Sequence, residues 1–204
     1  MTLSDGSALE KTVLIACAGA QLGHGLGLAF ARAGAKVICV DHDETLLMTL
    51  TRAAPDRIEP LRLNLMKPEH IGHFTDIWAD TPLTFLILCQ MLRFPGHPAM
   101  ALPACAQLTS ALAPALRSGG GQAVYLCHGG SADPVTASLS DAMGAFAARL
   151  QAQLGASVPI NGVQVQCAED RVDAAALQMT LAGLNAPGAA RIGGTLMTVL
   201  PRSD

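Results

Sequence analysis

Residues 14–25 read LIACAGAQLGHG. The run KTVLIAC (11–17) that leads into them is apolar and β-branched, which predicts a buried strand. The residues after it have helical spacing: Leu22, Leu26, Phe30 and Ala33 fall near one face, and Gly34 stands where a helix would stop. A glycine-bearing turn between a strand and a helix is where an α/β fold presents backbone amides and a helix N-terminus to a phosphate. Three glycines lie here, Gly19, Gly23 and Gly25. What the chain does depends on whether they stand where a phosphate needs them.

Working outward, strand-like and helix-like segments alternate along the whole chain. KVICVD (36–41), IEPLRLNL (58–65), LTFLILC (83–89), QAVYLCH (122–128), INGVQVQC (160–167) and GGTLMTVL (193–200) read as further strands. Between them come a helix stopped by Pro55, one opened by Pro68, ALPACAQLTSALAPALRSGG with its glycine stop, the alanine-rich SLSDAMGAFAARLQAQLG (138–155), and residues 172–184. Strands this apolar have both faces covered, as in a parallel sheet between two helical layers. The expectation is an α/β, single-domain, doubly wound Rossmann-type fold of about seven mainly parallel strands with helices on both faces. One domain spans 1–204, with 1–10 a flexible N-terminus.

Composition narrows the function classes. Of 204 residues half are hydrophobic and 14% charged, at a net charge of −3. No Lys/Arg cluster offers phosphates a surface, so a nucleic-acid partner is not expected. The first residues, MTLSDGSALEKT, lack the basic-then-apolar order of a signal peptide, and no run reaches the ~18 apolar residues of a membrane helix. A cytoplasmic protein without a membrane partner is expected. The six cysteines, Cys17, Cys39, Cys89, Cys105, Cys127 and Cys167, form no Cys-x-x-Cys pair, so they read as reduced core thiols rather than zinc ligands. His70 and His73 have helical spacing but no third ligand, and no metal is expected.

In order and spacing of elements, from Lys11 to Val199, the chain resembles the short-chain dehydrogenase/reductase family. The best local matches are GAKVICVD, NLMKPEHI, SGGGQAVYL, ARLQAQLG and INGVQV. Such proteins open with K-x-x-L-V-T-G-x-x-x-G-x-G. Two registers are possible here. With Gly19, Gly23 and Gly25 as the motif glycines, the helix to Gly34 becomes two residues too short. Without gaps, strand and helix keep their usual lengths, the first motif glycine becomes Cys17, the second Gln21 and the third Gly23; this is the favoured register. The first two glycines give the tight turn and the approach to pyrophosphate, and the third packs helix on strand. Only the packing glycine, Gly23, is then kept, which implies no dinucleotide or weak NAD binding. The resemblance further places Asp41 where NAD users bind the ribose, although a strand-end or helix-capping aspartate fits equally. It places Asn64 near the adenine, and LCQM (88–91) where the family has Asn-Asn-Ala-Gly. His24 and His42 are expected at the surface near this edge.

The catalytic positions depart furthest. The resemblance implies a tetrad of Asn, Ser, Tyr and Lys, with Tyr-x-x-x-Lys on the fifth helix; the tyrosine is the acid/base and the lysine tunes it. The one tyrosine here, Tyr125, lies inside a strand, and the last of three lysines is Lys67. Aligned through ARLQAQLG, the tyrosine and lysine positions hold Thr136 and Ser140; counted from the fifth strand, Asp141 and Ala145. No asparagine occurs between Asn64 and Asn161, and the serine position is His128. The segment after the sixth strand, where the family builds its substrate lid, is trimmed. The expectation is a degenerate, catalytically inactive member serving as a structural or regulatory subunit beside an active homologue, or self-associating, through the helix at 138–154 and the last strand. On that helix Ala142, Gly144, Ala145, Ala148 and Ala152 would permit close approach and Phe146 and Leu150 would form the ridge. The alternative is an NAD(P)-dependent oxidoreductase with an atypical site around His128, or a non-redox enzyme on that fold, using His128, Ser131 or Asp133 in place of the tetrad.

Overall fold

A computed structural model describes residues 11–129, 134–166, 168–186 and 192–200. Seven strands form one sheet: β1 (Thr12–Ala16), β2 (Lys36–Asp41), β3 (Ile58–Arg62), β4 (Phe85–Leu88), β5 (Gln122–His128), β6 (Ile160–Val165) and β7 (Leu196–Val199). Their order is β3-β2-β1-β4-β5-β6-β7, and every neighbouring pair is parallel. This is the doubly wound α/β arrangement expected from the sequence. Its strand order reverses between β1 and β4, the place where such sheets open a crevice at the carboxyl ends of the strands.

Alternation along the strands divides the interior in two. Val13 and Ile15 of β1, with Val124 and Leu126 of β5, face α1 (Gln21–Arg32), α2 (Glu44–Ala53) and α8 (Ala174–Leu184). Leu14 and Ala16, with Ala123, Tyr125 and Cys127, face the layer that contains α3 (Pro68–Trp78), α5 (Pro98–Ala111) and α7 (Pro134–Leu154). The helical segment read as one element before Gly119 is two, because Leu112 ends α5 and α6 (Ala113–Ser118) restarts with Pro114 in its first turn. A four-residue helix not expected from the sequence, α4 (Gln90–Arg93), follows β4.

Two expectations about faces need correction. Ala33 is exposed, because α1 ends there as its C-cap. Leu150 is buried in the core and Phe146 packs edge-on against Tyr125 at 5.3 Å between ring centroids, so neither forms an outward ridge. Among the described side chains of α7, the exposed ones are Ser138, Ala142, Ala145, Ala148, Arg149, Ala152 and Gln153. The expected flexible N-terminus at 1–10 lies outside the described residues. Among the described residues no helix is long and apolar enough to cross a membrane.

Candidate nucleotide cleft

Register sets the composition of the crevice. Ala16 pairs with both Val40 and Leu88, so the next residues, Cys17, Asp41 and Cys89, emerge side by side at the carboxyl edge. His128, paired with Val165, ends β5 at the same edge. Cys17 has φ of +59°, the one left-handed non-glycine among the described residues. Glycine takes that conformation at no steric cost; a side chain adds roughly 1–2 kcal/mol. The turn therefore keeps a glycine-like backbone without the glycine.

The three glycines are each pressed against the chain itself. A Cβ on Gly19 would lie 2.8 Å from Asp41 Oδ2, one on Gly23 3.1 Å from Cys89 Sγ, and one on Gly25 2.9 Å from the Ala174 methyl. Gly23 thus packs α1 onto the strand end. Gly19 makes room for Asp41, and Gly25 lets the start of α8 close against α1. Gln21, the first residue of α1, is exposed.

Asp41 is 1% exposed, and both its oxygens are engaged. Oδ2 accepts from the Gly19 amide at 2.9 Å and Oδ1 from the Asp43 amide at 3.0 Å. His42 Nδ1 lies 3.1 Å from Oδ1, and Arg93 Nε of α4 lies 3.7 Å from Oδ2. The same guanidinium reaches within 3.8 Å of Asp43 and lies over the Phe94 ring. Asp41 is a structural clamp between the first two strand ends, and Arg93 lies beside it. Asp43, not Asp41, caps α2, accepting from the Thr45 and Leu46 amides. Asn64 is also used locally: its Oδ1 accepts from the Met66 backbone amide, and its backbone N–H donates to His70 Nδ1. With His42, Met66, Phe94, His97 and Met100 it lines an open pocket of about 280 Å³. Gln90 is fully buried, and its side-chain amide has no hydrogen-bond partner among the described residues.

The residue that sequence reasoning missed is Glu169. It begins a short 3-10 turn (Glu169–Arg171) in the connection between β6 and α8. Its Oε2 accepts from the Leu22 amide in the first turn of α1 at 2.6 Å, across 147 positions of sequence. Helix α1 has Ala20 at its N-cap and no side-chain cap of its own, so this distant carboxylate takes that place. Glu169 Oε1 lies 3.7 Å from His128 Nε2, with the two side chains 13% and 31% exposed.

The remaining candidates can be placed. Tyr125 is buried, with its hydroxyl 2.5 Å from Thr109 Oγ1, and Thr109 donates its own proton to the Cys105 carbonyl. The phenol is therefore the donor, and burial holds its pKa well above the usual value. Burial likewise pushes the thiols of Cys17, Cys89 and Cys105 well up and that of Cys39 to about 12, so they stay protonated and inert. Burial lowers the pKa of His24, on α1. Ala145 is exposed on α7. No group of three His, Cys, Asp or Glu suited to a metal occurs among the described residues, so His70 and His73 gain no third ligand. Ser131, Asp133 and Cys167 lie outside the described residues, as do the side chains of Thr136, Ser140 and Asp141.

No protein-family profile matches the chain, and no curated protein matches it in sequence. Its fold is well represented: 1188 solved chains are similar, too many to single out one activity from the fold. One of them is the crystal structure of YwfH, an NADPH-dependent reductase involved in bacilysin biosynthesis. It has a TM-score of 0.71 and 12% sequence identity, over 93% of this chain and 98% of that one. At that identity the likeness establishes the Rossmann-like fold.

Proposed function

We propose that this chain is a degenerate short-chain dehydrogenase/reductase that does no redox chemistry of its own and serves as a structural or regulatory subunit beside an active homologue. The observation that carries this reading is the state of the acid/base residues. The sole tyrosine donates its proton inside the core, and no lysine follows Lys67. A family-type mechanism needs a tyrosine facing substrate with a lysine beside it, and α7 has neither type of residue to offer. The closed cleft supports the same reading: Asp41 is saturated and Arg93 lies over it.

The partner surface in this reading is the outward stripe of α7 with the β7 edge. Arg149 lies in the middle of that stripe. In a two-fold pairing, residues near the axis meet their own copies, and like charges there repel. A homologous subunit with an acidic residue opposite Arg149 fits better than a second copy. Co-purification from the native host with intact-mass determination is the test. The expected result is a complex containing a homologue with an intact Tyr-x-x-x-Lys. A chain recovered alone as a monomer contradicts the subunit role.

A second reading rests on one specific contact, the His128–Glu169 pair at the crevice. A histidine beside a carboxylate is a common acid/base arrangement. In that case the chain is an oxidoreductase with an atypical site, a substrate panel with NADH and NADPH shows turnover, and His128→Ala abolishes it while leaving the melting temperature near that of the wild type.

A further inference from the structure

We propose that Glu169 is a built-in anion: its carboxylate stands where a dinucleotide fold would hold pyrophosphate and locks the β6–α8 connection across the cleft. A helix N-terminus favours a negative group because its first amides are unpaired and its dipole is positive there. In this chain that group is already present. Glu169 Oε2 takes the Leu22 amide at 2.6 Å, and Oε1 faces His128 on β5. Two further features agree with permanent occupancy. Helix α1 carries no cap of its own at Ala20. The Gly25 backbone lies against Ala174, so no gap separates α1 from the start of α8. The contact joins α1, the end of β5 and the β6–α8 connection at one point. It repels a second anion by charge as well as by occupancy. This inference is independent of whether a partner subunit exists.

The test is anion rescue. Full-length wild type, Glu169→Ala, Glu169→Gln and a remote control, Glu44→Ala, are melted with and without inorganic pyrophosphate, with sodium chloride matched for ionic strength. Glu44 is exposed and paired with Arg62 at the start of α2, on the Asp43–Arg93 side of the crevice rather than the Glu169 side. The expected result is a lower melting temperature for Glu169→Ala, raised again by pyrophosphate, a smaller rise for Glu169→Gln, and no rise for the wild type or Glu44→Ala. At roughly ten times the dissociation constant, the anion should shift the folding equilibrium of the responding variant by about 11-fold. An equal rise in the wild type overturns the proposal, since the position would then be open. No response from Glu169→Ala beyond that of Glu44→Ala also overturns it. If Glu169→Ala does not accumulate folded, Glu169→Gln is compared with the wild type instead. A pyrophosphate response confined to Glu169→Gln then supports the proposal, and an equal response or none from that variant overturns it.

Discussion

At the level of single residues, the cleft combines positions that were readable and one that was not. The missing tyrosine–lysine pair could be read directly, because it follows from which residues the chain contains and needs no alignment. Cys17 was readable only as a glycine replaced; its backbone angle shows what the replacement costs. Cys17→Gly should leave the free energy of unfolding within about 1 kcal/mol of the wild type, relief of the left-handed side chain offsetting the lost thiol packing and added chain entropy. Cys17→Val should lose about 2 kcal/mol or more, since a β-branched residue tolerates that region worst. Urea denaturation of both variants checks the pair. Tyr125→Phe should lose about 1 kcal/mol, the worth of the bond to Thr109, and change no catalytic rate in any complex. A loss of ~10²–10⁴-fold in rate would instead make the phenol an acid/base. Glu169 was hidden for a physical reason. Its closest partner is a backbone amide 147 positions away, which leaves no spacing or motif to find.

Among the elements, strand identity was the most legible feature, because parallel strands buried on both faces are continuously apolar. Helix phase was less so. In an alanine-rich helix such as α7 almost any face looks packable, and Phe146 and Leu150 look like an exposed ridge until Tyr125 is seen beneath them. The outward stripe instead runs through Ala142, Ala145, Arg149 and Ala152. This moves the interface test. Ala148, the natural choice from sequence, abuts the turn before β7, its Cα 3.4 Å from where a Cβ on Gly194 would stand. Ala145 is the cleaner position. Ala145→Arg should split the assembly while leaving the thermal stability of the isolated chain within about 0.5 kcal/mol of the wild type, as expected for an exposed site. Met48→Arg, exposed on α2 across the sheet, should leave the assembly intact. Sedimentation velocity on both variants decides, and an Ala145→Arg chain that assembles like the wild type excludes this face. The small helix α4 escaped notice because four residues carry no periodicity, yet it delivers Arg93 to Asp41.

For the molecule as a whole, the fold could be inferred from the alternation of elements, while the way the crevice is filled could be read only in part. The sheet still opens its crevice between β1 and β4, and the chain fills that crevice with its own groups: Arg93 over Asp41 at one end and Glu169 on α1 at the other. A crevice filled in this way should leave no room for a dinucleotide, and calorimetric titration of the purified full-length chain with NADH and with NADPH addresses that most directly. The expected result is no saturable heat up to about 1 mM nucleotide, equivalent to binding weaker than roughly −4 kcal/mol. A dissociation constant at or below ~10 μM for either nucleotide, about −7 kcal/mol, would contradict it.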